Sequence, residues 1–67
     1  MSVHRTSIVH QNAQIGENVT IGPHCYIGQN VSIDNDTVLG ANVVIEEWTK
    51  IGKNCRISSG SVLGGPP

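Results

Sequence analysis

Three histidines and two cysteines are the residues whose side chains could hold a metal ion or act as nucleophiles. They are His4, His10, His24, Cys25 and Cys55. Imidazole and thiolate groups are common zinc ligands, but a zinc site needs several of them to converge. No two histidines have the spacing His-x-x-x-x-His, and we expect His4 and His10 to project from different faces of the molecule. We therefore predict no metal site.

The acidic residues form no recognisable catalytic set either. Glu46 and Glu47 are adjacent, so their side chains should diverge, and Asp34 and Asp36 flank a predicted turn, where Asp commonly accepts local backbone hydrogen bonds. The glycines are spread singly along the chain and form no phosphate-binding loop of fixed spacing. We therefore predict no catalytic residue, no substrate-binding residue and no cofactor for these 67 residues.

A six-residue repeat runs through the chain and determines where these side chains can lie. Neither an α-helix nor a half-buried strand has a period of six, so the pattern indicates a solenoid of short repeats. The second residue of each hexad is often Gly, the fourth is often Asn and the fifth is compact. The first residue is always aliphatic: Val3, Val9, Ile15, Ile21, Ile27, Ile33, Leu39, Ile45, Ile51, Ile57 and Leu63.

The hexad predicts short parallel strands that meet at sharp corners. Asn tolerates left-handed backbone angles, so the corners are expected at Asn12, Asn18, Asn30, Asn42 and Asn54. Three strands would close a triangular coil, which makes the chain an all-β, single-domain parallel β-helix of nearly four coils. The predicted coils span about 3–20, 21–38, 39–56 and 57–67. A helix and a hairpin sandwich fit worse, because the chain has eight glycines and a turn signal every six residues.

Residues eighteen apart should lie above one another, so the sequence also predicts what each face of the prism presents. The aliphatic first residue and the compact fifth residue of each hexad should point inward. The sixth residue should point outward, and on two faces it is mainly polar: Gln14, Ser32 and Lys50, and Thr20, Val38 and Arg56. On the third face the outward residues form a column, termed the apolar stripe, of Ile8, Tyr26, Val44 and Val62.

The apolar stripe predicts a subunit interface. Contiguous exposed apolar residues usually mark contacts, and a chain this short buries little of its own surface, so association would stabilise it. Three prisms around a parallel axis would bury the stripe, and we expect a homotrimer. The alternative is that β-branched residues simply suit a strand on a tolerant surface.

Trp48 and the two cysteines occupy unusual places in the hexad. Trp48 stands at a corner position that holds Asn in neighbouring coils. Two interpretations stay open for it, covering an edge or a neighbouring loop, and packing on the surface. Cys25 and Cys55 hold the inward fifth position, so they should be small buried hydrophobes and not a disulfide.

Charge and hydropathy exclude other classes of function. The formal net charge is -1 and only four residues are Lys or Arg, so the chain has no basic surface for nucleic acid. The apolar runs are too short to insert into a bilayer. No apolar segment follows the N-terminus that could act as a secretion signal, and we expect a cytoplasmic location.

The residue pattern of the hexads resembles that of a known family. The form Ile-Gly-x-Asn followed by a compact residue, as in Ile15-Gly16-Glu17-Asn18-Val19, resembles the hexapeptide-repeat transferases, which fold as a left-handed parallel β-helix. Segments 3–9, 15–23, 43–46 and 49–57 are similar to the start of the acyl-(acyl-carrier-protein)–UDP-N-acetylglucosamine O-acyltransferases. Segment 62–67 is similar to the place where those proteins leave the regular coil. Arg5 departs from the family, which commonly has Pro there.

The resemblance implies a trimeric enzyme of lipid A biosynthesis. It transfers a 3-hydroxyacyl group from acyl carrier protein to the 3-hydroxyl of UDP-N-acetylglucosamine. The family's catalytic histidine, nucleotide-contacting residues and C-terminal domain would all follow Pro67, so we expect these residues to be an inactive N-terminal scaffold. Two alternatives stay open. One is another hexapeptide-repeat enzyme, such as the N-acyltransferase of the same pathway or a β-helix carbonic anhydrase. The other is a non-catalytic repeat scaffold or assembly module.

Overall fold

The computed structural model describes residues 1–64 and consists of eleven two-residue strands joined by turns. Each strand begins six residues after the previous one, so the predicted hexad is the unit of the fold. In segment 62–67, where a departure from the regular coil is predicted, Val62–Leu63 is still a regular strand, and residues 65–67 lie outside the described residues. The strands are β1 (Ser2–Val3), β2 (Ile8–Val9), β3 (Gln14–Ile15), β4 (Thr20–Ile21), β5 (Tyr26–Ile27), β6 (Ser32–Ile33), β7 (Val38–Leu39), β8 (Val44–Ile45), β9 (Lys50–Ile51), β10 (Arg56–Ile57) and β11 (Val62–Leu63).

Three parallel sheets form the faces of the prism. Sheet A has the order β1-β4-β7-β10, sheet B has β2-β5-β8-β11 and sheet C has β3-β6-β9. Each strand from β1 to β8 pairs with the strand three further along the chain, and the register offset is eighteen residues, as in Val3 opposite Ile21. The chain therefore makes three turns and two strands of a fourth, which confirms the predicted all-β parallel solenoid. Residues 1–64 contain no helix long and apolar enough to cross a membrane.

A regular ladder of backbone hydrogen bonds joins successive coils. The N–H of an outward residue donates to the carbonyl seventeen residues later, as in Ser2 to Val19 at 2.8 Å and Tyr26 to Val43 at 2.9 Å. Strands this short are stable here because each inner coil pairs with the coil before it and with the coil after it. The first residues of the hexads thereby lie in straight inward columns.

The core confirms the predicted inward positions of the hexad. The fully covered residues are aliphatic first residues and compact fifth residues: Val19, Ile21, Cys25, Ile27, Val31, Ile33, Leu39, Val43 and Ile45. Thr37 is the one buried polar residue among residues 1–64. Its hydroxyl donates to the Gly52 carbonyl at 2.6 Å and accepts the Cys55 N–H at 3.2 Å. A buried hydroxyl is tolerated here because both of its hydrogen-bonding roles are satisfied.

The corners confirm most of the predicted left-handed positions. Asn18, Asn30, Asn42 and Asn54 have φ between 55° and 58°. The predicted corner at Asn12 is present as a turn, but its φ is not positive. At that corner the Ala13 N–H donates to the His10 carbonyl at 2.9 Å, and His10 Nδ1 accepts the Asn12 N–H at 3.1 Å. A histidine at the second position of the hexad thus offers the corner an acceptor that glycine lacks.

Glycine is required at some second positions because the adjacent coil approaches the backbone closely. A Cβ added to Gly22 would lie 2.6 Å from the carbonyl oxygen of Gly40, which is rigid backbone. A Cβ added to Gly52 would meet only Cys55 Sγ, at 3.9 Å, because no described coil follows Gly52 in its column. The same hexad position is therefore sterically closed at Gly22, where a coil follows, and open at Gly52 in this chain.

Gly22→Ala and Gly52→Ala should consequently have opposite effects on stability. Gly22→Ala forces two coils apart and is expected to lower the free energy of unfolding by about 1–3 kcal/mol. Gly52→Ala restricts the unfolded chain without a clash and is expected to raise it by about 0.4–1 kcal/mol. Chemical denaturation of both variants beside the parent chain measures the difference. Equal effects of the two substitutions would contradict the packing described here.

Candidate subunit interface

The apolar stripe is a continuous column on the outer surface of sheet B. Parallel pairing places Ile8 opposite Tyr26, Tyr26 opposite Val44, and Val44 opposite Val62. All four residues are the first residue of their strand, with an inward aliphatic residue next to each. The structure therefore brings the four predicted residues together on one face.

The exposure of the stripe sets how much free energy its burial could contribute. Ile8 is 63% exposed, Tyr26 is 44% exposed and Val62 is 64% exposed, while Val44 is half-buried between its neighbours. Complete burial of such a side chain is worth about 1.5–3 kcal/mol, so the exposed halves of the four side chains offer roughly 3–6 kcal/mol per copy. Association costs about 4–15 kcal/mol in lost translational and rotational freedom. The stripe can therefore offset that cost only where the cost lies near the lower end of its range.

The other two faces differ from sheet B in character. The outward residues of sheet A are Ser2, Thr20, Val38 and Arg56, and those of sheet C are Gln14, Ser32 and Lys50. Val38 is the one apolar residue among them and is 36% exposed. Within residues 1–64, sheet B is thus the face whose outward column lacks a charged residue and is built of aliphatic and aromatic side chains.

A shallow groove runs along sheet C, but it brings together little chemistry. Its ionisable side chains are Asp34 and Lys50, with Gln14 and Ser32 beside them. Oδ1 of Asp34 accepts the backbone N–H of Asn35 at 2.7 Å, as expected for an aspartate at a turn. The groove therefore has a structural explanation, and we assign it no catalytic role.

Two of the histidines shape corners. His4 follows a strand of sheet A and His10 follows a strand of sheet B, so these two lie at different corners. His24 lies one coil beyond His4 in the same corner column, where Thr6 Oγ1 accepts the His24 N–H at 2.9 Å and lies 2.8 Å from His4 Nδ1. Nδ1 of His4 accepts the Thr6 N–H at 3.2 Å, in the same way as His10 accepts that of Asn12. In the part of the chain that the structure describes, no three His, Cys, Asp or Glu residues lie close enough to hold a metal ion.

The two cysteines are both free, and they differ in burial. Cys25 is buried, and its thiol donates to the Gly40 carbonyl at 3.1 Å, which confirms the prediction of a small buried side chain. The prediction of burial is wrong for Cys55, which is only half-buried in the corner between β9 and β10. No described coil lies beyond Cys55 in its column, so one side of its thiol is uncovered.

Trp48 holds a backbone conformation that is unfavourable for a bulky residue. Its φ is 66°, its side chain is 72% exposed, and its N–H donates to the Gln29 carbonyl at 3.2 Å. The left-handed region is accessible to Asn and Gly but costs about 1–2 kcal/mol for other L-residues. The break in the corner pattern at Trp48 signalled this site in the sequence, although the pattern alone did not give the conformation.

Trp48→Asn should therefore stabilise the isolated chain. Asn adopts left-handed angles readily, so the free energy of unfolding is expected to rise by about 1 kcal/mol. Trp48→Ala is the matched control, because it removes the indole and keeps a Cβ in the strained conformation. Denaturation at concentrations where the chain is monomeric measures both effects. A gain for Ala as large as that for Asn would show that backbone strain is not the cause.

Comparison with known proteins agrees with the repeat seen in the structure. The family described as bacterial transferase hexapeptide (six repeats) matches residues 2–35 and 30–65. No curated protein sequence matches the chain. The two overlapping family matches together include all eleven strands, from β1 to β11. The chain therefore belongs to the bacterial transferase hexapeptide family.

Proposed function

We propose that this chain is the scaffold and subunit-contact region of an O-acyltransferase of lipid A biosynthesis. The reaction moves a 3-hydroxyacyl group from acyl carrier protein to the 3-hydroxyl of UDP-N-acetylglucosamine, in the cytoplasm. Membership of the hexapeptide transferase family supports a transferase. The observation that carries the finer proposal is the ordered likeness of segments 3–9, 15–23, 43–46 and 49–57 to the start of those enzymes.

In this reaction the sugar hydroxyl attacks the thioester carbonyl, a general base takes the hydroxyl proton, and the carrier-protein thiol leaves. We assign the general base to no residue of this chain. The contribution of residues 1–64 is mechanical. The inter-coil ladder makes a straight prism, and the prism holds the apolar stripe in line so that subunits can meet along it. Proteins that resemble this one place their active sites between subunits, so the contact region bears directly on catalysis.

A graft tests this function. The coils described here replace the first coils of a UDP-N-acetylglucosamine O-acyltransferase. Acyl transfer by the resulting graft is measured by the amount of carrier-protein thiol released. The graft is expected to remain active, because the hexad register and the subunit contact are kept. The same coils placed on the N-acyltransferase of the pathway and on a β-helix carbonic anhydrase are the matched comparisons. The chain by itself is expected to give no product.

Three outcomes would contradict the proposal. An O-acyltransferase graft that assembles but is inactive would contradict the assignment to an O-acyltransferase. If only the carbonic anhydrase graft were active, the coils would instead be assigned to a carbonic anhydrase. Turnover by the chain alone would show that it carries its own catalytic residues.

We also propose that the apolar stripe is the contact between three copies of this chain. Sheet B is the face that presents an apolar outward column, and a single flat face that meets two copies of itself around a parallel axis gives a closed trimer. A closed arrangement covers every stripe, whereas an open one would leave a stripe exposed at each end.

Val44→Glu and Val38→Glu separate this contact from a general effect of charge. Both residues begin a strand in the middle of a sheet, Val44 in sheet B and Val38 in sheet A. Val44→Glu would bury a carboxylate in the contact and is expected to give a monomer, because an unpaired buried charge is strongly unfavourable. Val38→Glu is expected to leave the trimer intact. Analytical ultracentrifugation distinguishes monomer from trimer. The same oligomeric state in both variants would contradict the assignment of sheet B as the contact.

A further inference from the structure

Trp48 has a conformational cost that its own chain offsets only through one backbone hydrogen bond, from its N–H to the Gln29 carbonyl at 3.2 Å. The residue is left-handed, and nearly three-quarters of its surface is exposed, so little packing within the chain compensates for the strain. Strained residues persist where another interaction depends on their position. The apolar stripe, for its part, offsets the cost of association only at the lower end of the range of that cost. A second contact beside the stripe would account for both observations.

The position of Trp48 relative to sheet B defines where that contact lies. Trp48 is in the corner between β8 of sheet B and β9 of sheet C, so it stands at one border of the stripe face. The opposite border is the corner between β7 and β8, at residues 40–43. When three such faces surround a threefold axis, the border of one copy that follows sheet B meets the border of the next copy that precedes it. Trp48 of one copy thus approaches the β7–β8 corner column of its neighbour.

The two borders are also close in height along the axis. Coils stack at about 4.8 Å, and Trp48 is six residues, or one-third of a coil, beyond Asn42. Copies related by a threefold axis lie at equal height, so Trp48 stands only about 1.6 Å above the neighbour's residue 42. The indole is long enough to span this offset.

The corner column that faces Trp48 is compact. Its third and fourth hexad positions at this height are Ala41, Asn42, Ser59 and Gly60. The other two corner columns carry longer side chains at the third position, as in Gln29 and Lys53, and this column does so only in its first coil, at Arg5. The compact column therefore provides a shallow seat for a large ring.

We propose that Trp48 of each copy packs on the corner surface formed by Ala41, Ser59 and Gly60 of the next copy. This inference rests on the proposed trimer and deepens it, because it names a contact in which each subunit gives a ring at one border and receives one at the other. An aromatic anchor seated on a compact surface is typical of the residues that dominate protein–protein affinity. The strain at Trp48 is then the cost of presenting that anchor at the corner.

Trp48 is the single tryptophan of the chain, so its fluorescence reports on the contact directly. On raising the concentration of the full 67-residue chain through assembly, the emission is expected to shift to shorter wavelength and acrylamide quenching to fall. Ultracentrifugation of the same samples gives the oligomeric state independently.

Two variants test the donor and the acceptor separately. Trp48→Asn is expected to weaken assembly by at least about tenfold while it stabilises the monomer, two effects of opposite sign. Ala41→Gln fills the seat with a side chain that the same hexad position already carries at Gln11 and Gln29, and it should weaken assembly similarly with little effect on the monomer. Combining both changes should cost less than their sum, because each already removes the same contact.

The outcomes separate this inference from the proposed trimer. Two results together would overturn the contact and leave the stripe trimer standing. The first is an assembly constant of Trp48→Asn within twofold of that of the parent chain. The second is acrylamide quenching of Trp48 in the assembled parent chain that is as strong as in the monomer. A parent chain that stays monomeric at all concentrations would overturn both. Protection of Trp48 that is lost in Ala41→Gln would support the contact.

Discussion

The fixed offset of eighteen residues between paired strands is the constraint on which the rest of this molecule depends. Each strand has only two residues, and a pair of this length would not persist alone. It persists because the N–H of one coil donates to the carbonyl seventeen residues on, and this bond recurs on all three faces. The same offset aligns the core residues, places Thr37 below Cys55 and brings Gly22 against Gly40. Side chains that are distant in sequence thus become vertical neighbours.

Much of the fold could be predicted because one side chain in six has a single physical role. An aliphatic residue such as Ile27 is favoured in the interior, and few folds can bury an aliphatic residue at every sixth position of a chain. The corners were less predictable, since several hydrogen-bonding solutions compete there. Asn12 was expected to be left-handed, but His10 supplies a ring nitrogen that accepts its N–H. Cys55 was expected to be buried, but no described coil covers one side of it.

Part of the candidate site could likewise be predicted from the sequence, and part could not. The column of Ile8, Tyr26, Val44 and Val62 could be read directly, because the register that buries Val9 also fixes the outward direction of Ile8. The importance of Trp48 could not, since its significance lies in a φ of 66° that the sequence pattern only hinted at. The periodicity of the sequence thus determines the surface columns, whereas the backbone strain at one corner depends on the conformation of the folded coil.

The invariant vertical register also bears on how proteins of this shape can change length. Inserting one residue within a coil would displace every later column, and the aliphatic side chains would leave the interior. Adding a whole coil of eighteen residues preserves every column, and it lengthens sheet B by one more outward side chain. Growth by tandem duplication would therefore extend the fold and its contact face together. In a prism of this kind, the tendency to self-associate would scale with the number of coils.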